Sequence, residues 1–175
     1  PITPNQDGAE TPAYVYSHYF LGRRATALAR IDLLNKLSQN FDVTVYTHAD
    51  CKDILPTAIY GGKIDYYDTM PTIFQHSKIN LNITLKTIQT GIPLRAWDIL
   101  GCGGFLLTNF QQELCHFFIP GEDFVYYESP ADAIEKAAYF LSHGRERQEI
   151  AHNAFEKIAA SHTFHHRVQS MFDII

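Results

Sequence analysis

Short apolar runs alternate along this chain with longer segments whose apolar residues recur at helical spacing, and this alternation limits the possible folds more than any other feature. Strands that alternate with helices through short turns favour right-handed crossovers and a parallel sheet covered on both sides. We therefore predict an α/β domain with a doubly wound, Rossmann-like sheet of about six parallel strands and helices on both faces. The predicted strands are Ala13–Ser17, Val43–Tyr46, Ile64–Tyr67, Ile79–Leu81, Phe105–Leu107 and Phe124–Tyr127.

The predicted helices are marked by the residues that begin or end them. The first follows Gly22, a short one covers Pro71–His76, and the next starts at Pro93, because a proline in the first turn loses no intrahelical hydrogen bond. Glycines in the run 101–104 are predicted to end that helix. Ser129 is predicted to cap the following helix, and two more helices close the chain.

Length and composition set the number of domains and exclude several classes of partner. The chain has 175 residues, 46% of them hydrophobic, which suits one well-buried domain. The first 12 residues are rich in proline and polar side chains, so we expect residues 1–12 to be a linker or flexible arm and 13–175 to be the domain. The net charge of −5 and the lack of any Lys/Arg run disfavour nucleic acid as a partner.

Cysteine usage and hydropathy indicate the cellular setting. The three cysteines, Cys51, Cys102 and Cys115, are an odd number at unrelated spacings, which fits neither a disulfide framework nor a metal motif. A reducing cytoplasm fits best. No apolar run approaches the roughly 20 residues that span a bilayer. We expect a cytoplasmic protein with no membrane span.

The predicted sheet would place a ligand crevice between two particular strands. In the strand order 3-2-1-4-5-6, the first and fourth strands are neighbours whose connections leave in opposite directions, which opens a crevice at their carboxyl ends. The segments that leave these strands contain Gly22-Arg23-Arg24 and residues 83–95, both rich in glycine and cationic side chains. We predict that the two segments converge on one phosphate site.

The second of these segments is the sharper signal. Gly91 lets a ligand approach the backbone just before a helix whose free N–H groups and positive dipole end suit a diphosphate. Arg95 lies in the first helical turn, where a cation opposes the dipole unless an anion lies between them, so we predict it to be the phosphate ligand that supports catalysis. Asp98 follows one turn later, where a carboxylate can accept hydrogen bonds from ribose hydroxyls.

Each candidate also has a structural explanation. Pro93 and Asp98 are ordinary residues near a helix start, and arginines at a helix start are often solvated. Tyr66 and Tyr67 either stack a base or belong to a buried strand. The run 101–104 does not form a G-x-G-x-x-G fingerprint after the first strand, which disfavours a dehydrogenase. Nearby Cys or carboxylate ligands are missing around the three histidines, so no metal site is expected. These histidines are His162, His165 and His166.

Several motifs, taken together and in order, resemble one known family. They are SKINLN at 77–82, GIPLRAWDILGCGGFLLT at 91–108, GEDFVYY at 121–127 and HTFHHR at 162–167. The chain resembles, over most of residues 13–173, the C-terminal domain of the bacterial CgeB-like (spore maturation protein) glycosyltransferases, relatives of glycosyltransferase family 4. The resemblance implies one half of a GT-B fold, in which two Rossmann-like domains flank a cleft and the C-terminal one binds the nucleotide of the donor sugar.

The resemblance also implies roles for individual residues. Arg95 and the backbone at Gly91 and Ile92 would hold the diphosphate, and Asp98 stands where the superfamily usually has a ribose-contacting glutamate. Tyrosines 66 and 67, with Met70, would flank the base. Thr90 stands where many family 4 enzymes have an earlier glutamate, so a sugar contact is lost and a retaining outcome does not follow. The candidate donor-binding residues are therefore Gly22, Arg23, Arg24, Tyr66, Tyr67, Thr90, Gly91, Ile92, Pro93 and Asp98, with Arg95 as the candidate catalytic residue.

The function implied is transfer of a sugar from a nucleoside-diphosphate sugar to an acceptor, in a hexosyltransferase-like reaction that needs no metal or other cofactor. The N-terminal acceptor domain would lie outside this sequence, so we expect the isolated fragment to bind donor weakly and to be inactive. Two alternatives remain. The first is a non-catalytic nucleotide- or sugar-binding module of GT-B descent, which Thr90 favours. The second is another Rossmann-like enzyme that uses a dinucleotide or flavin, which the missing fingerprint disfavours.

Overall fold

A computed structural model describes residues 11–88 and 90–173 of the chain. Its elements, in chain order, are α1 (Pro12–Val15), a π-helical segment (Tyr16–Gly22), α2 (Arg23–Ser38), β1 (Thr44–Tyr46), β2 (Ile59–Gly62), α3 (Met70–His76), β3 (Asn80–Asn82), α4 (Leu94–Gly101), β4 (Leu106–Asn109), a 3₁₀ turn (Gln112–His116), β5 (Val125–Tyr127), α5 (Pro130–Ser142), α6 (Gly144–Ser161) and α7 (Phe164–Phe172). Among the helices of the described ranges, none is long and apolar enough to cross a bilayer.

The chain divides into two compact units. The first comprises Pro1–Gly62 with Ile83–Gln89, and the second comprises Lys63–Asn82 with Thr90–Ile175. In the first unit, β1 and β2 form a parallel pair. Helix α2 is tied to the connection between these strands, because the Asn35 side chain donates to the carbonyl of Ile54 at 3.0 Å.

The second unit contains a parallel sheet in the order β3-β4-β5. Helix α4 buries the three residues Ala96, Ile99 and Leu100, whose spacing places them on one face of a helix. That face meets β4, the loop before β5 and α6 in a single apolar core. The buried members of this core are Phe74, Ala96, Ile99, Leu100, Leu106, Leu114, Phe118, Phe124 and Ala154.

Most predicted elements are confirmed to within a few residues, including the predicted cap of α5. The Ser129 hydroxyl accepts the backbone N–H of Asp132 at 3.2 Å, which satisfies one of the free N–H groups at the helix start. The parallel α/β class is confirmed. The strands are five in the described residues, however, and they form two small sheets.

The predicted first strand, Ala13–Ser17, is wrong because these residues are helical. Thr11 caps the helix by accepting the N–H of Tyr14 at 3.1 Å, and Pro12 occupies the first turn. Aromatic rings spaced four residues apart then pair along it: Tyr14 stacks on His18 at 4.1 Å between ring centroids, a pairing that a strand does not offer. The predicted strand order 3-2-1-4-5-6 is therefore wrong at its first strand, and so is a crevice beside that strand. The predicted neighbours 4-5-6 are confirmed as β3-β4-β5.

The predicted arm, residues 1–12, lies outside the described residues except for Thr11 and Pro12.

The predicted third strand, Ile64–Tyr67, is wrong, since the strand lies earlier, at β2. A side chain explains the difference: the Asp65 carboxylate accepts the N–H groups of Tyr67 and Asp68, each at 2.8 Å, which forms a turn in place of extended backbone.

Candidate functional site

The start of α4 is preceded by a glycine in a left-handed conformation. Gly91 has φ +95°, a region that residues with a side chain rarely adopt. Apart from its chain neighbours, no heavy atom of the described residues lies within 4 Å of a Cβ built on it. The conformation, rather than crowding, is what requires glycine here. The N–H of Gly91 donates to Oε2 of Glu113, a half-buried residue on the 3₁₀ turn after β4. Sequence reasoning missed Glu113, and no local pattern marks it.

The other predicted residues of this segment surround the helix start. Thr90 is exposed, and Pro93 is half-buried immediately before α4. The Ile92 side chain packs against the core of the second unit, so it contributes to packing whatever its N–H binds. Residue 89, which follows the last described residue of the first unit, lies outside the described residues.

Arg95 and Asp98 lie one helical turn apart on α4. The Arg95 side chain is exposed, with its guanidinium carbon 5.6 Å from the centroid of the Phe74 ring. The Asp98 side chain is half-buried, and its Oδ2 accepts a hydrogen bond from the Tyr66 hydroxyl at 2.9 Å. A cation and a carboxylate on successive turns suit a ligand that has an anionic and a hydroxylated end.

Tyr66 and Tyr67 occupy an exposed turn and not a buried strand. Their rings meet edge to face with centroids 5.1 Å apart, and the side chains are 45% and 82% exposed. Of the two interpretations left open by the sequence, burial in a strand is therefore wrong. A ring that is 82% exposed leaves apolar area for a partner to cover.

The electrostatics of Tyr66 link it to both helix residues. The hydrogen bond to Asp98 raises the pKa of the Tyr66 phenol, burial raises it further, and the Arg95 charge acts in the opposite direction. The phenol therefore stays protonated and donates. Backbone N–H groups of residues 68 and 67 lower the pKa of Asp65, so the carboxylate that shapes this turn stays charged.

The predicted residues Gly22, Arg23 and Arg24 belong to the first unit, where Gly22 has a packing role. A Cβ built on Gly22 would lie 2.0 Å from Cγ2 of Thr87, so this backbone accepts no side chain without movement. Beside it, the buried Thr26 hydroxyl donates to the Gly22 carbonyl at 2.8 Å and accepts the Lys86 N–H at 3.0 Å. These bonds hold the segment from 83 against α2.

The two arginines after Gly22 are exposed, and the Arg23 guanidinium lies 5.6 Å from the Tyr19 ring. Donor binding by Arg23 and Arg24 stays a prediction.

The glycines after α4 end the helix, as predicted. Gly103 has φ +73°, and Gly104 donates its N–H to the Ile99 carbonyl at 2.9 Å. A Cβ on Gly104 would lie 2.7 Å from the Phe74 carbonyl oxygen, so close packing before β4 requires glycine.

The histidines near the end of the chain pack with aromatic side chains. The His162 ring lies edge to face with Trp97 at 5.4 Å and Phe117 at 5.5 Å, and its Nδ1 faces the Arg167 guanidinium at 3.1 Å. His166 closes a capping box with Thr163 at the start of α7. Within residues 11–88 and 90–173, no group of three or more His, Cys, Asp or Glu side chains could hold a metal ion.

Comparisons with known proteins identify the fold and the family. A model of the glycosyl transferase-like family matches residues 23–173. No curated protein matches the chain. Of 19 solved chains that match, one is the C-terminal domain of a glycosyl transferase group 1 family protein (LpcC) from Francisella tularensis. It superposes with a TM-score of 0.60 at 13% identity, covering 79% of this chain and 80% of that chain. At this identity the likeness concerns the fold, an α/β domain resembling the C-terminal half of a GT-B protein.

Proposed function

We propose that this chain, which belongs to the glycosyl transferase-like family, is the donor-binding domain of a glycosyltransferase that moves a sugar from a nucleoside diphosphate to an acceptor. The observation that supports this most directly is the pair Arg95 and Asp98 at the start of α4, with Tyr66 bonded to the carboxylate. A nucleoside diphosphate has an anionic end and a ribose with two neighbouring hydroxyls, and the pair matches both ends.

In the proposed reaction, the bond between the anomeric carbon and the diphosphate oxygen breaks, and its electrons pass to the diphosphate. The acceptor hydroxyl oxygen forms the new bond to the anomeric carbon and loses its proton. Negative charge therefore grows on the diphosphate as it leaves. The exposed Arg95 guanidinium and the N–H groups that begin α4 would stabilise that charge, which is the main catalytic contribution of this domain.

Further parts of the proposal rest on the sequence. Arg23 or Arg24 would add positive charge at the diphosphate, and an N-terminal acceptor domain would supply the groups that bind and deprotonate the acceptor. Independence from a divalent metal, a cytoplasmic location and the narrower CgeB-like assignment stay predictions.

A non-catalytic module of the same descent is the second candidate. Thr90 favours it, because this exposed residue stands where relatives of the resembled family have a sugar-contacting carboxylate. A module of this kind would bind a nucleoside diphosphate without transferring or hydrolysing the sugar.

Calorimetric titration of the chain with UDP, GDP and NADH tests the proposal. We expect heat from at least one of the two nucleoside diphosphates and none from NADH. Binding of NADH alone would indicate a dinucleotide enzyme and would contradict the proposal. Hydrolysis of the matching sugar donor by a protein that includes an acceptor domain then separates an enzyme from a module.

A further inference from the structure

The hydrogen bond between Tyr66 and Asp98 joins two residues that are 32 positions apart in the sequence. Tyr66 reaches the carboxylate from a turn that is itself fixed, since Asp65 accepts two backbone N–H groups of that turn. Asp98 is held on a helix whose next turn is buried in the core. Both ends of the hydrogen bond are therefore anchored in the same unit.

A hydrogen bond to one oxygen of a carboxylate fixes the orientation of the group, and therefore also the position of its second oxygen. An ionised carboxylate can accept about four hydrogen bonds, so a single bond from Tyr66 to Oδ2 leaves Oδ1 and part of Oδ2 available. Two neighbouring hydroxyls, as in a ribose, can use those positions together. Because the Asp98 side chain is already fixed, the cost of immobilising it does not reduce the affinity for a ligand.

We propose that Tyr66 is a positioning residue that orients the Asp98 carboxylate toward the ribose hydroxyls, so that this site selects ribonucleotide over deoxyribonucleotide donors. The inference rests on the proposed function. A site built to bond a hydroxyl rejects an analogue that lacks it, because its polar group is then left without a partner.

The raised pKa of the Tyr66 phenol agrees with this role. The phenol keeps its proton at neutral pH, so it donates to the carboxylate and does not compete with the ribose as an acceptor.

The test compares UDP and GDP with their 2′-deoxy forms, using the full chain and the variants Tyr66→Phe and Tyr139→Phe. Tyr139 is the matched control, because its hydroxyl also donates to a carboxylate, that of Glu146, at 2.9 Å. Each variant removes only a hydroxyl and keeps its ring. For the nucleotide that binds, we expect Tyr66→Phe to weaken the ribose form by about threefold to tenfold and the 2′-deoxy form by less than about twofold. Tyr139→Phe should leave the affinities for the ribose and the 2′-deoxy forms unchanged. The thermal midpoint of each variant checks that folding is retained.

A double-mutant cycle with Asp98→Asn tests whether Tyr66 acts through Asp98. If Tyr66 acts through Asp98, the double variant loses no more affinity for the ribose form than Asp98→Asn alone. Additive losses, or an unchanged ratio of ribose to deoxyribose affinity in Tyr66→Phe, would overturn the inference while leaving the proposed function intact. Failure of the unmodified chain to bind either nucleoside diphosphate would overturn both.

Discussion

The carboxylate of Glu113 accepts a hydrogen bond from the backbone N–H of Gly91, directly before the start of α4. The chain thus places one of its own anions on an amide that we assign to the diphosphate of the donor. In the proposed complex, a donor diphosphate at this amide would either displace the Glu113 carboxylate or lie beside it as a second negative charge.

Replacing Glu113 by glutamine should therefore strengthen binding of the nucleoside diphosphate. Two unit charges about 5 Å apart in water repel by about 0.8 kcal/mol, so we expect a gain of about fourfold in affinity. Calorimetry measures this directly. Glu149→Gln, on an exposed position of α6, is the matched control and should leave affinity unchanged. A loss of affinity in Glu113→Gln would mean instead that the carboxylate supports the binding conformation of the loop.

Replacing Arg95 by alanine should nearly abolish transfer in a protein that includes the acceptor domain. Loss of one preorganised charge contact typically costs about 3 to 4 kcal/mol of transition-state stabilisation, which corresponds to a fall in kcat of two to three orders of magnitude. Steady-state kinetics with the sugar donor provide the measurement. Arg145→Ala changes an exposed arginine on α6 and should behave as the unmodified protein does. Equal turnover in the two variants would remove Arg95 from the reaction.

The environment of His162 predicts that stability falls in mild acid. Burial lowers the pKa of this ring, and the charge of Arg167 and then His166 lower it further. The unfolded chain therefore binds a proton at His162 more readily than the folded chain does. Stability is at its full value above the ordinary histidine pKa of about 6.5 and declines as pH falls through it toward the lower folded pKa.

His162→Gln should flatten this decline between about pH 7 and pH 5, although its stability at pH 7 should be lower because the aromatic contacts are lost. Thermal melting across that range shows the slope. His165→Gln, at an exposed position three residues on, should keep the slope of the unmodified chain. If the thermal midpoints of both variants fall with pH as steeply as that of the unmodified chain, another group sets the acid response.

Gly22 should resist substitution for a reason unrelated to ligand binding. Alanine within a helix normally gains up to about 1 kcal/mol over glycine. Here the added Cβ would collide with Cγ2 of Thr87, so we expect Gly22→Ala to destabilise the chain by about 1 to 3 kcal/mol. Thr87→Ser removes that methyl group, and the double variant Gly22→Ala/Thr87→Ser should recover most of the loss in chemical denaturation. No recovery would show that the contact does not limit this position.

Local signals were sufficient for most of the second unit. Pro93 and the buried positions of α4 lie within eight residues of one another, and Ser129 lies next to the helix it caps, so the sequence itself contains these relationships. The aromatic run from Ala13 was ambiguous, because an apolar run of that length suits a strand or a helix. The cap at Thr11 and Pro12 decides it. In β2, a glycine pair at the end of the strand hid the pattern.

The candidate site was predicted in part for a similar reason. Arg95, Asp98 and Gly91 were found because they share one short segment with recognisable chemistry. The partners that give them direction, Tyr66 for Asp98 and Glu113 for Gly91, are 32 and 22 positions away. Such pairs form only in the folded chain, and the spacing of residue types along the sequence does not reveal them.

The segment from residue 83 belongs to the first unit although its neighbours on both sides belong to the second. Its anchors, the Lys86 N–H on Thr26 and the Arg30 side chain on the Ile83 carbonyl, join it to a helix that precedes every residue of the second unit. A cut in the chain after Gly62 would leave this segment without its partners on α2. A fragment that begins at Lys63 would therefore contain this segment without the helix that holds it.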